Sequence, residues 1–282
     1  MNPIPPSVVK YMKQILVISF VANLLVFVLL SVGPFSVTEG QMRLYGGFFL
    51  MIFVCTHGWY RYGLNRIVLF FCMAVVVTWS LETLSIAVGF PFGHFAYTDK
   101  LGEKIGVVPV MIFPAYFFTG YLAWTTAGIF FNSRGTGIRK KHLVLQPLAA
   151  AFLMLTWNLS FDPIMSTLHG CWIWESGGAY FGVPLTNFGG WLLTTFLFFQ
   201  LFAWLVTRTV ADEPLEIDRA YWQLIPLMYA VQGLPSFLYA FSSRQGQDIY
   251  RPVAVITAAF MFLPAVLSLI RLRTHDSRQM SR

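Results

Sequence analysis

Two carboxylates sit where carboxylates are costly. Glu82 lies in the run Thr78-Trp-Ser-Leu-Glu-Thr-Leu-Ser, which is otherwise free of charge, and Asp162 closes another apolar run as Trp157-Asn-Leu-Ser-Phe-Asp-Pro. An ionisable group inside such a run costs a few kcal/mol to place in a bilayer and marks a functional site by default. A carboxylic acid held there is a candidate proton donor at neutral pH. The plainer readings are a structural carboxyl bonded to a neighbouring helix for Glu82, and an Asp-Pro turn for Asp162. Asp162 also opens an unusual stretch. From Phe161 to Trp191 there is no Lys or Arg, although the chain has 19 of them. This stretch carries a third acid, Glu175, together with Asn187 and aromatics that include Phe161, Trp172, Trp174, Tyr180, Phe181 and Trp191. A loop rich in aromatics and acids but free of cations reads as the lining of a site for an apolar, electron-rich ligand.

Acids and aromatic faces in an apolar setting are what acid-catalysed addition of water to an alkene requires. A carboxylic acid protonates the double bond. Aromatic faces stabilise the tertiary carbocation, each by about 2 kcal/mol or more when desolvated. A carboxylate or amide then orients the water. Glu82, Asp162 and Glu175 are the candidate acids and Asn187 the candidate water holder, with Trp172, Trp174, Tyr180 and Phe181 as candidate faces. Two plainer readings stand beside these: Glu175 as a solvated loop carboxylate, and the Trp and Tyr residues as a membrane-interface belt.

Other chemistries find little support. The five histidines are scattered, with no HxxxH or HxxH spacing for a metal. There is no Gly-rich dinucleotide fingerprint and no phosphate-binding loop. One N-x-x-x-D occurs, Asn158 to Asp162, but a membrane prenyltransferase needs a second aspartate-rich set. No metal and no cofactor are expected.

The positions of these residues follow from the composition. Hydrophobic residues make up 57% and charged residues 11%, with mean hydropathy +0.65; a soluble domain would carry roughly 25% charged residues. The fold class expected is an all-α polytopic membrane bundle, one domain over residues 1–282 in contact with the lipid bilayer. A span needs about 20 mostly apolar residues. Eight segments qualify, at 14–33, 44–60, 67–89, 107–131, 143–160, 188–207, 221–241 and 252–271. The first, with no small-residue cleavage site behind it, reads as a retained helix rather than a signal peptide. With both termini cytoplasmic, fourteen basic residues fall on the inner side and five on the outer, as the positive-inside rule requires. The net charge of +7 is therefore a topology signal and not a nucleic-acid surface. The central loop, 161–187, then faces out.

The sequence also repeats weakly. Glu82 precedes Gly89, F95-A-Y97, V108-P109 and Tyr116, while Asp162 precedes Gly170, W172-I-W174, V183-P184 and Trp191, with each aromatic seven residues after its Pro. Both units run in, out and in again, so the repeat would be parallel.

Two of these stretches carry a resemblance. G-F-P-F-G-H-F-A-Y (89–97), followed by I-G-V-V-P-V, and G-x-Y-F-G-V-P-x-x-N-x-x-G-W (178–191) resemble the CruF-type carotenoid hydratases, the integral-membrane carotenoid biosynthesis proteins. The resemblance covers about residues 75–210. His94 stands where the family pattern has Tyr, and Tyr116 where it has Trp. The resemblance implies hydration of the terminal isopropylidene bond of an acyclic carotenoid such as lycopene, without a redox cofactor, in the cytoplasmic membrane beside other enzymes of the pathway. Its motifs add Phe92, His94, Tyr97 and Trp191 to the substrate-binding set. Two alternatives remain at this point: a polyisoprenoid transporter that uses the acids for proton coupling, and an end-group cyclase that shares the carbocation but loses a proton.

Overall fold

The computed structural model describes residues 6–32, 39–209, 218–242 and 245–280. Its helices are α1 (Pro6–Val32), α2 (Glu39–Tyr62), α3 (Leu64–Val88), α4 (Ile112–Phe130), α5 (Leu145–Asp162), α6 (Leu185–Thr209), α7 (Arg219–Tyr239), α8 (Gln247–Thr257) and α9 (Leu263–Met280). A π-helical segment, Ala258–Phe262, joins α8 to α9, so the described residues form eight helical rods. Among the described residues, five stretches are long and apolar enough to cross a membrane: Ser7–Leu29, Leu64–Val88, Lys140–Leu168, Leu185–Thr207 and Gln247–Thr274. Apolar side chains such as Ile18, Val76, Trp204 and Val255 point outward. A surface of this kind suits hydrocarbon and not water. The chain is an all-α membrane bundle.

Helix α4 falls short of that measure for a physical reason. It carries Tyr116, Thr119, Tyr121, Thr125 and Thr126, and from Tyr116 to Ile129 every residue except Phe118 is buried. Its surroundings are protein, and Tyr116, Thr119, Tyr121 and Thr125 find hydrogen-bond partners inside the bundle.

Several boundaries differ from the sequence expectation. Gly46 and Gly47 do not interrupt α2, and Pro226 and Pro235 lie within a continuous α7. Residues 108–109 form a short strand, so α4 starts at Ile112 and not near 107. Pro163 does not end the fifth helix. It lacks the N–H that would bond the Leu159 carbonyl, and the helix widens into a π segment over Pro163–Leu168. The Tyr180 hydroxyl donates to the freed Leu159 carbonyl at 3.0 Å.

The two sequence units meet each other. The strands are β1 (Phe95–Tyr97), β2 (Lys104–Ile105), β3 (Val108–Pro109) and β4 (Trp172–Trp174); β1 pairs antiparallel with β4, Phe95 opposite Trp174 and Tyr97 opposite Trp172. That register is unchanged when the units are exchanged. Tyr116 and Trp191, the matched aromatics beyond each Val-Pro, stack with ring centroids 4.3 Å apart and planes at 6°.

Candidate active site

Beneath the β1–β4 ribbon lies a cavity of about 990 Å³, at the upper end of the range usual for small-molecule sites. Each wall is set by a local feature. Helix α3 stops at Gly89, which takes φ 78° and returns its N–H to Ser85 O at 2.8 Å. The Ser85 hydroxyl then accepts the Phe92 N–H at 3.0 Å and donates to Gly93 O at 2.8 Å. This ties the 89–93 turn onto the helix end, with Phe92 buried against the cavity. Gly190 on α6 lets Phe92 approach: a Cβ there would lie 2.5 Å from its ring.

Glu82 of α3 and Asp162 of α5 both line this cavity and are 4% and 2% exposed. Each is held by different chemistry. Glu82 accepts from two phenols, Tyr97 Oη to Oε2 at 2.6 Å and Tyr116 Oη to Oε1 at 3.2 Å. Burial, and then the neighbouring charge of Glu82, push the Tyr97 hydroxyl well above the usual phenol range, so it stays protonated. Asp162 accepts from the Asn187 amide, which also reaches Asn158 Oδ1 at 3.3 Å. Trp191 is flanked by Tyr116 on its face and by Trp157 edge-on at 5.8 Å. Phe95 packs on Trp174 at 5.0 Å and Tyr97 on Trp172 at 5.9 Å. The result is an apolar, aromatic chamber with two acids and an amide in its wall.

Eight of the twelve sequence-predicted site residues line this chamber: Glu82, Asp162, Asn187, Phe92, Tyr97, Trp172, Trp174 and Trp191. The other four lie outside its lining. Glu175 is exposed on the ribbon turn, where its N–H bonds His94 O. His94 is also exposed; its ring covers Gly89 and borders a separate cleft of about 270 Å³. Tyr180 supports the Pro163 break, and Phe181 packs in a second apolar cluster while its carbonyl accepts from the Thr167 hydroxyl at 2.6 Å. Cavity residues missed in the sequence include Trp157 and, from α7, Gln232 and Ser236. Trp157 could have been found, because it stands five residues before Asp162 in the same apolar run. Nothing in the sequence ties α7 to this chamber. The wall also includes Leu44, Gly47 and Met111; Leu44 and Met111 are exposed, so the chamber reaches the bundle surface between α2 and the start of α4.

Among the described residues there is no group of three or more His, Cys, Asp or Glu side chains placed to hold a metal ion.

The sequence profile of the family described as "Carotenoid biosynthesis protein" matches residues 42–264. The chain belongs to the carotenoid biosynthesis protein family. That match takes in every wall of the chamber except Phe27 of α1. The chain is also similar to the bisanhydrobacterioruberin hydratase of Haloarcula japonica, with 30% identity over 119 residues. This stretch is 42% of the present chain and 38% of that relative. No solved structure matches.

Proposed function

We propose that this carotenoid biosynthesis protein is a cofactor-independent hydratase that adds water to the terminal isopropylidene double bond of an acyclic carotenoid end group. One observation carries the reading: Glu82, Asp162 and Asn187 share a single chamber walled by Trp157, Trp172, Trp191, Tyr97 and Tyr116. Proton transfer from a buried acid goes to the less substituted carbon, because that leaves the charge on the tertiary carbon. The aromatic faces offset this charge. The second carboxylate and the Asn187 amide orient the water that closes on it. The hydroxyl therefore appears on the tertiary carbon only. The similarity to the bisanhydrobacterioruberin hydratase supports the same reaction class. The protein lies in the cytoplasmic membrane with both termini inside, and the β1–β4 ribbon faces out.

Expression in a lycopene-producing host tests the reading. The pigments should include species heavier by one water per processed end, with a tertiary alcohol. Rings formed without added water would show a cyclase. Pigment that is bound and moved but never altered would show a transporter. Either result would overturn the proposal.

A further inference from the structure

We infer that the two acids have fixed and different roles: Glu82 protonates the alkene, Asp162 takes the proton from the attacking water, and Tyr116 and Asn158 are the positioning residues that keep these roles apart. The inference rests on the hydratase reading above and concerns how its chamber works.

The difference lies in what can donate to each carboxyl. Among the described residues Glu82 accepts from phenols alone, Tyr97 at 2.6 Å and Tyr116 at 3.2 Å. A phenolic hydroxyl both donates and accepts. Either one can turn to receive the proton of a neutral Glu82 or to donate to its carboxylate. Glu82 can therefore lose and regain a proton with every bond still made. Asp162 meets amides. The Asn187 Nδ2 group donates to Asp162 Oδ2 and cannot accept. In the observed arrangement Asn158 Oδ1 accepts from the same Nδ2 at 3.3 Å, which favours this orientation of the amide. The reversed amide would set Oδ1 against the Asp162 oxygen and would need a protonated Asp162. Asn158 lies one helical turn before Asp162 on α5 and is 0% exposed. The Asn187 amide, a one-way donor, favours the carboxylate form of Asp162, which can then act as a base.

The step balances with no redox partner. The Glu82 O–H bond breaks as a C–H bond forms at the less substituted carbon, leaving a carboxylate and a tertiary cation. The water oxygen bonds to the cation, and one water O–H bond breaks as its proton passes to Asp162. One proton returning from Asp162 to Glu82 resets the site. Tyr116 is placed between the two halves, bonded to Glu82 and stacked on Trp191, which follows Asn187 by one turn of α6.

Deuterium incorporation separates the two roles. Purified full-length protein is given an acyclic carotenoid in D₂O, and both product and recovered substrate are analysed by mass. The wild type yields a deuterated alcohol. Asp162→Asn still protonates the alkene, but its cation returns a proton to Glu82, so unhydrated carotenoid gains deuterium while hydration is lost. Glu82→Gln gives neither, with exchange at least tenfold below that of Asp162→Asn. Asn158→Ala raises the ratio of exchange to hydration, which a loss of packing alone would not do. Tyr116→Phe lowers both together and leaves their ratio unchanged. If Glu82→Gln does not fold, Tyr97→Phe combined with Tyr116→Phe strips the acid of both phenols and should also lower both together. Exchange in Glu82→Gln but not in Asp162→Asn would reverse the roles. No exchange in Asp162→Asn beside an active wild type would overturn their separation. A wild type that neither hydrates nor exchanges would instead refute the hydratase reading itself.

Discussion

Replacing Trp191 tests whether the aromatic wall acts on charge or only on shape. Its ring is stacked 4.3 Å from Tyr116 and lines the chamber beside both acids. A desolvated cation–π contact contributes about 2 kcal/mol, and each ~1.4 kcal/mol is tenfold in rate. Trp191→Leu should therefore lower kcat about 30-fold. KM should change little, because the cation exists only in the transition state and an interaction made only there appears in kcat. Trp191→Phe keeps a weaker face and should lie between the two. The same change removes a ring stack worth ~1 kcal/mol, so Tm should also fall for Trp191→Leu. The assay is the initial rate of alcohol formation against carotenoid concentration in vesicles, with Tm measured in parallel. A rise in KM at unchanged kcat would show that Trp191 only shapes the chamber. Equal kcat for Phe and Leu at this position would refute the charge argument.

Further outcomes follow from particular residues. Glu175→Gln should keep kcat within about twofold of wild type, since Glu175 is exposed outside the chamber; a loss within the ~10²–10⁴ range of a missing acid–base group would move the catalytic set. Gly47→Leu should raise KM more than it lowers kcat, because a Cβ at Gly47 meets nothing within 4 Å and the side chain would enter the chamber wall; an unchanged KM would show that substrate does not pass α2. Gly178→Ala should destabilise the protein by about 2 kcal/mol or more, read as a lower Tm, because its Cβ would lie 2.0 Å from the Val183 carbonyl carbon; an unchanged Tm would mean that the 178–183 turn yields freely. Reporters after Lys141 and Arg273 should read cytoplasmic and a tag at Ser176 external; a cytoplasmic tag at Ser176 would overturn the proposed orientation.

The bundle and much of the chamber were legible in the sequence because apolar runs and misplaced acids are local signals. Glu82 and Asp162 stood out by lying where charge is expensive, and the F-A-Y and W-I-W segments stood out as a repeat, although their pairing as strands was not read. What could not be read was tertiary. Pro163 looked like a stop, but the Tyr180 hydroxyl satisfies the carbonyl it frees, so the helix continues as a π segment. Tyr180 could not be assigned that task from its spacing. Arg61 counted as an inner-face charge, yet it is 1% exposed and donates to Gly135 O at 3.0 Å and Ser133 O at 2.8 Å. His94 sits in the shared motif, but the left-handed turn at Gly89 makes room for its ring beside a separate cleft, outside the chamber lining. The contribution of α7 to the wall has no sequence signal, because its Gln232 and Ser236 look like ordinary polar residues in a span.

Oxygen labelling tests acid-catalysed hydration most directly. Purified protein, given an acyclic carotenoid in ¹⁸O-labelled water with no nicotinamide, flavin or added metal and under strict exclusion of oxygen, should form a tertiary alcohol that carries the label. In unlabelled water under ¹⁸O₂ the alcohol should carry none. Label arriving from O₂, or a strict requirement for a redox cofactor or a metal, would contradict the mechanism.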